Sequence, residues 1–223
     1  MGRLKPFGMI GLVLLSLGYA FVTEAQPPEE WHLEKDKDGI QVYSRHLTSS
    51  RLKEIKVHCE MTGYPAQLVA FFSDVDQYHQ VIYKNKTARL LRRVSETELY
   101  YYAESELPWP AANRDFAIRL RFAYEPASKV LQINTNAVAD MVPPQAGIVR
   151  VPFWQAVWKV RPLPDNRMRI DYTFQADPGG NLPTWLINLT AAVGPYQSLL
   201  SMREKIQNPR YLGRKFEFMN ISN

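Results

Sequence analysis

The residue types that most often carry out chemistry are few in this chain and poorly spaced for it. The four histidines, His32, His46, His58 and His79, are scattered. None stands at the His-x-x-x-His spacing that points two imidazoles at one metal ion. Cys59 is the only cysteine, so a disulfide within the chain is impossible. No Gly-x-Ser-x-Gly elbow and no phosphate-binding glycine loop occurs. Arg114-Asp115 is an adjacent charged pair, suited to a salt bridge or to capping a turn rather than to catalysis. Asp171 and the run Tyr100-Tyr101-Tyr102 are the groups left that can move a proton, provided they face a substrate. No catalytic residue, no metal and no cofactor is expected.

The elements that must position a binding site follow from periodicity. Trp31-His32-Leu33, the Asp38-Gly39 pair and Ile40-x-Val42-Tyr43 predict a β-hairpin over 31–47, because Asp-Gly favours a tight two-residue turn. Ile55, Val57, Cys59 and Met61 alternate with Lys56, His58 and Glu60, which places Cys59 on the apolar face of a strand. Pro65 opens a helix expected to run to about residue 82, with Leu68, Val69, Phe71, Phe72 and Val75 as its apolar stripe. Strands are expected over about 87–94, 98–107, 115–124, 129–139, 149–161 and 167–176, with short turns between them, as in an antiparallel meander. A long amphipathic helix then runs from Pro183 to about Gln207, with Gly194-Pro195 predicting a kink. Residues 208–223 read as an extended tail.

The N-terminus has a different character. Arg3 and Lys5 precede the uncharged apolar stretch Phe7 to Val22, and Thr23-Glu24-Ala25 puts small residues at −3 and −1 of a cleavage site before Gln26. That is the layout of a signal peptide over 1–25, followed by a linker, 26–30. The alternative is an uncleaved anchor, for which 16 apolar residues are short. The expectation is export to the periplasm or cell exterior after cleavage near Ala25-Gln26. Removing Arg3, Lys5 and Glu24 leaves 25 basic and 21 acidic side chains, a net +4. The charges are mixed along the chain, without the basic face of a nucleic-acid binder. A monomer without nucleic-acid partners is expected.

Three ordered motifs then carry a resemblance. Trp31-x-Leu33 with Asp38-Gly39-Ile40-x-Val42-Tyr43-x-Arg45 resembles the opening of a START domain. Leu107-Pro108-x-Pro110-x-x-Asn113-Arg114-Asp115-Phe116 resembles its central signature, and Asp177-Pro178-Gly179-Gly180-Asn181-x-Pro183-x-Trp185 the turn into its last helix. The resemblance spans 31–207. It implies an α+β helix-grip fold, a strongly curved antiparallel sheet wrapped around a long C-terminal helix with an internal hydrophobic cavity. It also implies that one lipid, sterol-like or fatty-acyl molecule binds there, for binding or transfer. The wall expected for that cavity is Phe116, Ile118, Leu120 and Phe122 with Tyr102, and on the helix Trp185, Leu189, Val193 and Tyr196. Pro108, Trp109, Pro110, Asn113, Arg114 and Asp115, with Pro178, Gly179 and Gly180, are expected at the motif loops and at a gate. Trp109 is read either as packed or as touching a membrane surface transiently. Several sterol- and phospholipid-binding members carry a cavity-facing Arg where this chain has Leu120, so a polar anchor for the ligand must come from elsewhere. The alternative function is a helix-grip enzyme of the polyketide cyclase or aromatase type, acting in the same cavity. A third reading is an interaction module with no ligand.

Overall fold

The computed structural model of the chain describes residues 1–2, 30–47 and 52–220; at 184, 185 and 188–190 it describes the backbone alone. The expected leader and linker fall outside it, save Met1, Gly2 and Glu30. β1 (His32–Lys37) and β2 (Ile40–His46) form the hairpin expected from Asp38-Gly39. Both turn residues have positive φ, 54° and 69°, as this tight turn requires. β3 (Lys53–Thr62) buries Ile55, Val57, Cys59 and Met61 on one face. Burial pushes the Cys59 thiol up to about 12, the behaviour of a core thiol rather than a reactive one.

α1 (Pro65–Ser73) is shorter than its apolar stripe suggested. Asp74, with φ −103° and ψ 63°, is not helical. Its N–H turns back to the Phe71 carbonyl at 2.9 Å, and a 3₁₀ turn, Val75–Gln80, carries the chain onward. Gln67 in α1 receives the Tyr64 N–H at 2.7 Å and donates to the Ile206 carbonyl at 2.8 Å. One buried amide thus caps the start of α1 and ties it to the far end of the last helix.

Seven further strands follow: β4 (Asn85–Arg93), β5 (Glu98–Ser105), β6 (Asn113–Glu125), β7 (Val130–Ala137), β8 (Ile148–Arg150), β9 (Phe153–Leu163) and β10 (Arg167–Asp177). The order across the sheet is β1-β2-β3-β10-β9-β7-β6-β5-β4, with β8 parallel to β6. A plain meander is therefore only part of the topology. β3 pairs with β10, and the chain crosses by way of α1 to begin β4 at the opposite edge. The strand expected over 149–161 is two strands, because Pro152 has no N–H for a ladder. Before it, Val149 and Arg150 pair with Arg114 and Asp115; after it, β9 lies between β7 and β10. Lys86, Arg89, Arg92 and Arg93 put charge along the β4 edge, which discourages pairing with another chain.

α2 (Thr184–Lys205) crosses the concave face of the sheet. Its C-terminal half is pinned to the first hairpin. The Tyr196 hydroxyl donates to the Asp38 carboxylate, and Arg203 Nη1 to the Asp38 carbonyl at 2.9 Å. Residues 208–220 do not form an extended tail. Tyr211 meets Phe71 edge-on at 6.0 Å between centroids, Phe218 stacks on Phe122 at 6.0 Å, and Phe216 is buried. Burial of these apolar rings outweighs the weak helical and strand signal of the segment.

A buried ion pair holds β6 to β8. Arg150 Nε and Nη2 reach Asp115 Oδ1 and Oδ2 at 2.7 and 3.0 Å, and the Asp115 side chain is 1% exposed. Arg150 also donates to the Ala139 and Val142 carbonyls. Removing one partner strands the other charge away from water. Asp115→Ala should lower the unfolding free energy by about 3–5 kcal/mol, measured by urea denaturation; a loss within experimental error would show that the pair contributes nothing.

Candidate functional site: an internal cavity

Between the concave face and α2 lies a cavity of about 890 Å³. Its walls come from three places. β9 and β10 supply Trp154, Trp158, Tyr172 and Phe174. These rings stack along the sheet, Trp154 on Phe174 at 5.1 Å, Phe174 on Tyr172 at 5.2 Å and Tyr172 on Trp158 at 3.9 Å. β5 and β6 supply Tyr101, Ala103, Phe116 and Ile118. Register explains that grouping: Tyr101 lies opposite Ile118 and Ala103 opposite Phe116, and residues directly opposite share a face. α2 supplies Ile187, Ala191, Gly194, Ser198 and Met202, one helical face at spacings of four and three.

The lining is partly open and partly enclosed. Tyr83, Lys84, Glu106 and Pro108 line it and are exposed, so they mark a mouth. Phe72, Tyr78, Leu199 and Met202 line it and are buried. Several inward polar groups already have partners. Trp154 Nε1 donates to Thr135 Oγ1 at 2.9 Å, Tyr78 donates to the Phe72 carbonyl at 2.8 Å, and Ser198 donates to the Gly194 carbonyl at 2.8 Å. Burial holds the Tyr78, Tyr101 and Tyr172 phenols well above the usual tyrosine range, so all three stay protonated.

The motif residues gather at the mouth. Arg114 and Asp115 do not pair with each other. Arg114 Nε and Nη2 donate to the Pro178 and Gly179 carbonyls at 2.9 and 3.0 Å. Gly179 has φ 66°, and a Cβ there would sit 3.0 Å from the Arg150 carbonyl, so glycine is needed for this close approach. Arg114 thus fastens the loop that leads into α2, while Asp115 serves Arg150. Asn113 donates to Glu104 at 2.7 Å. Pro108, Asn113, Arg114 and Pro178 line the cavity. Pro110 is exposed, Gly180 stands over the Arg114 guanidinium, and Trp109, 93% exposed, projects into solvent.

The expected cavity wall is only partly the observed one. Phe116 and Ile118 line the cavity. Leu120 and Phe122 share their face of β6 but lie in the packed core below, where the returning C-terminal segment covers Phe122. Tyr102 faces the other way, packed with Ala117 and Val142; its neighbour Tyr101 takes the inward position. Tyr196 is turned toward the β1–β2 hairpin, where Lys35 Nζ sits 4.5 Å from its ring centroid, and Val193 is not on the lining face. The side chains of Trp185 and Leu189 lie outside the described residues. Ile187, Ala191, Gly194 and Ser198 were missed because α2 is apolar on two faces, one toward the hairpin and one toward the cavity. Asp171 is on the outer face of the sheet, 2.8 Å from His58 and 2.5 Å from Arg161.

A curved open sheet gripping one long helix around a cavity defines a helix-grip protein. A family model described as START domain matches residues 19–209, and the chain belongs to that family, which is known for lipid binding and transfer. It is 26% identical to mouse phosphatidylcholine transfer protein over 183 residues, 80% of this chain and 85% of that one. An uncharacterized protein of Pseudomonas aeruginosa is 25% identical over 196 residues, 88% of this chain and 96% of that one. Among solved structures, a fragment of a STAR-related lipid transfer protein from Xanthomonas axonopodis superposes with TM-score 0.73 at 28% identity, over 80% of this chain and 99% of that one. Human STARD10, at 21% identity and TM-score 0.68 over 80% of this chain and 74% of that one, shares the fold.

The lining face of α2 allows a direct test. A Cβ added at Gly194 meets nothing within 4 Å, and Gly194 borders the cavity. Gly194→Leu should fill part of the space, its gain in helix propensity over glycine offset by the crowding of a Cβ against the following Pro195. Uptake of a fluorescent acyl probe should fall severalfold, with the far-ultraviolet circular dichroism of the folded protein retained. Uptake equal to wild type would show that this face of α2 does not border the ligand.

Proposed function

We propose that this chain binds one hydrophobic molecule, a lipid, sterol-like or fatty-acyl compound, in the 890 Å³ cavity and carries it without chemical change. The observation that supports this most directly is the cavity's size and lining. Ligand pockets run from about 300 to 1,000 Å³. A dry, empty void of this volume would cost about 21 kcal/mol at ~24 cal/mol per Å³, beyond the roughly 5–15 kcal/mol stability of a typical domain. Water or a ligand must fill it, and a wall of Ile118, Phe116, Phe174 and Trp158 solvates hydrocarbon better than water does. Each buried methylene contributes about 0.8 kcal/mol, so a 14-carbon chain gains on the order of 11 kcal/mol.

The reading of a carrier rather than an enzyme is supported by where the acids lie. Asp171 is on the outer face, Glu104 is engaged by Lys86 and Asn113, and Glu106 is exposed at the mouth. General acid–base catalysis needs such groups against the substrate. Export is part of the same proposal, supported by the leader pattern of residues 1–25. Mass spectrometry of protein gently extracted from its producing cells tests both. The expected result is a chain beginning at Gln26 with one co-purifying lipid whose reloading raises the melting temperature by several degrees. A product chemically altered from the supplied lipid would overturn the carrier reading, and recovery without any apolar ligand would overturn binding.

Exposed Trp109, between Pro108 and Pro110 beside the mouth, supports entry of the ligand from a membrane surface, since indole rings settle at that interface. Trp109→Ala should slow lipid transfer between vesicles severalfold and leave equilibrium lipid binding unchanged. Equal transfer rates would remove Trp109 from the pathway.

A further inference from the structure

Two phenols that line the cavity have no protein partner among the described residues. Tyr101 and Tyr172 both line it, and among the described residues neither hydroxyl is hydrogen-bonded. Their neighbour Tyr78 is different, because its hydroxyl is taken by the Phe72 carbonyl at 2.8 Å. Tyr172 is 7% exposed, so its hydroxyl depends on what fills the cavity. A chain of rings joins the two sites. Tyr101 meets Tyr78 at 5.2 Å, Tyr78 meets Phe72 at 6.4 Å, Phe72 meets Trp158 at 5.2 Å and Trp158 stacks on Tyr172 at 3.9 Å. The two strands concerned, β5 and β10, are far apart in sheet order, so the curvature of the sheet brings their side chains to one space.

Hydroxyls that face a cavity without a protein acceptor pair with whatever fills it, water or ligand. Each phenol offers one donor and accepts as well. Either can meet an uncharged ligand oxygen: a ligand hydroxyl accepts from or donates to a phenol, and a carbonyl oxygen accepts from one. A carboxylate or phosphate suits the place badly. The basic side chains of the lining stand on other elements: Lys84 is at the exposed mouth, His46 and Lys53 are at the ends of β2 and β3, and the Arg114 guanidinium is engaged by the Ala112, Pro178 and Gly179 carbonyls. Burying a charge there without a counter-ion is far costlier than burying a neutral oxygen.

We propose that Tyr101 and Tyr172 form a two-phenol anchor that selects apolar ligands whose inward end carries a neutral oxygen, a hydroxyl or a carbonyl. The inference rests on the cavity binding a hydrophobic molecule, and it adds the chemical class of the buried end. It also supplies the polar contact that Leu120, an apolar core residue, does not provide.

The test uses tetradecan-1-ol, tetradecane and tetradecanoate, each competing with a fluorescent acyl probe on delipidated protein. Wild type should prefer the alcohol over the other two. Tyr101→Phe with Tyr172→Phe should weaken the alcohol on the order of tenfold, the effect of losing two ordinary hydrogen bonds, and change the alkane by less than twofold. Equal losses for alcohol and alkane, or no loss for the alcohol, would overturn the anchor while leaving cavity binding intact. Binding of none of the three by wild type would overturn both. Melting of the delipidated double variant gives an independent readout. Replacing unpaired phenols by rings of the same shape should leave the melting temperature unchanged or raise it. A clear drop would mean that the hydroxyls are structural, and the anchor would fall.

Discussion

An interior that the side chains do not fill has to be held open. In this fold the sheet does most of the holding, because ten hydrogen-bonded strands cannot close inward without breaking their ladders. The rings of Trp154, Phe174, Tyr172 and Trp158 brace one another along β9 and β10, so no single ring can swing into the space without losing its neighbours. The rim is fastened separately. Arg114 grips the loop before α2, Arg150 and Asp115 lock β8 to β6, and Gln67 joins both helices. Tyr196 and Arg203 fix α2 to the first hairpin. Apart from Arg114, whose guanidinium borders the mouth, these contacts stand outside the cavity.

Much of the architecture was legible in the chain. Asp38-Gly39 gave away the first hairpin, and the alternation about Cys59 gave the face of β3. What failed was phase between elements. Alternation places Phe116 and Ile118 on one face of β6, but it does not say which tyrosine of the preceding strand lies opposite. The observed register pairs Ile118 with Tyr101, one position from the residue expected. A slip of one residue exchanges the faces of a strand, and no local signal fixed it. Nor did alternation show that the face is shared by two environments. Phe116 and Ile118 border the cavity, whereas Leu120 and Phe122 meet protein, because residues 211–219 fold back beneath them. The partners of Arg114 and Asp115 were out of reach for the same reason. Pro178 and Gly179 are 64 and 65 residues from Arg114, and Arg150 is 35 from Asp115.

Charge is sorted by face. On the outer surface Glu60 is bridged by Arg167 and Arg169, Glu98 by Arg119, and Asp171 by Arg161 and His58. Hydrogen bonds from arginine hold the Glu60 and Glu98 carboxyls below the usual carboxylate range. The tyrosines that line the interior are pushed in the opposite direction by burial and remain neutral. Alternation along the strands thus puts most of the ion pairs outside and rings and aliphatic side chains inside, with Lys84, Glu106 and Arg114 at the mouth.

The floor beneath the cavity is built last. Phe216 and Phe218 come from the final turn of the described chain, and β3 waits for β10, more than a hundred residues later, to complete its pairing. A ribosome makes the chain from the other end, so the early strands and α1 emerge with their apolar faces unmatched. The container cannot be sealed at its base until Phe218 has been made. A nascent chain of this kind has greasy surface to shield over that whole stretch of synthesis.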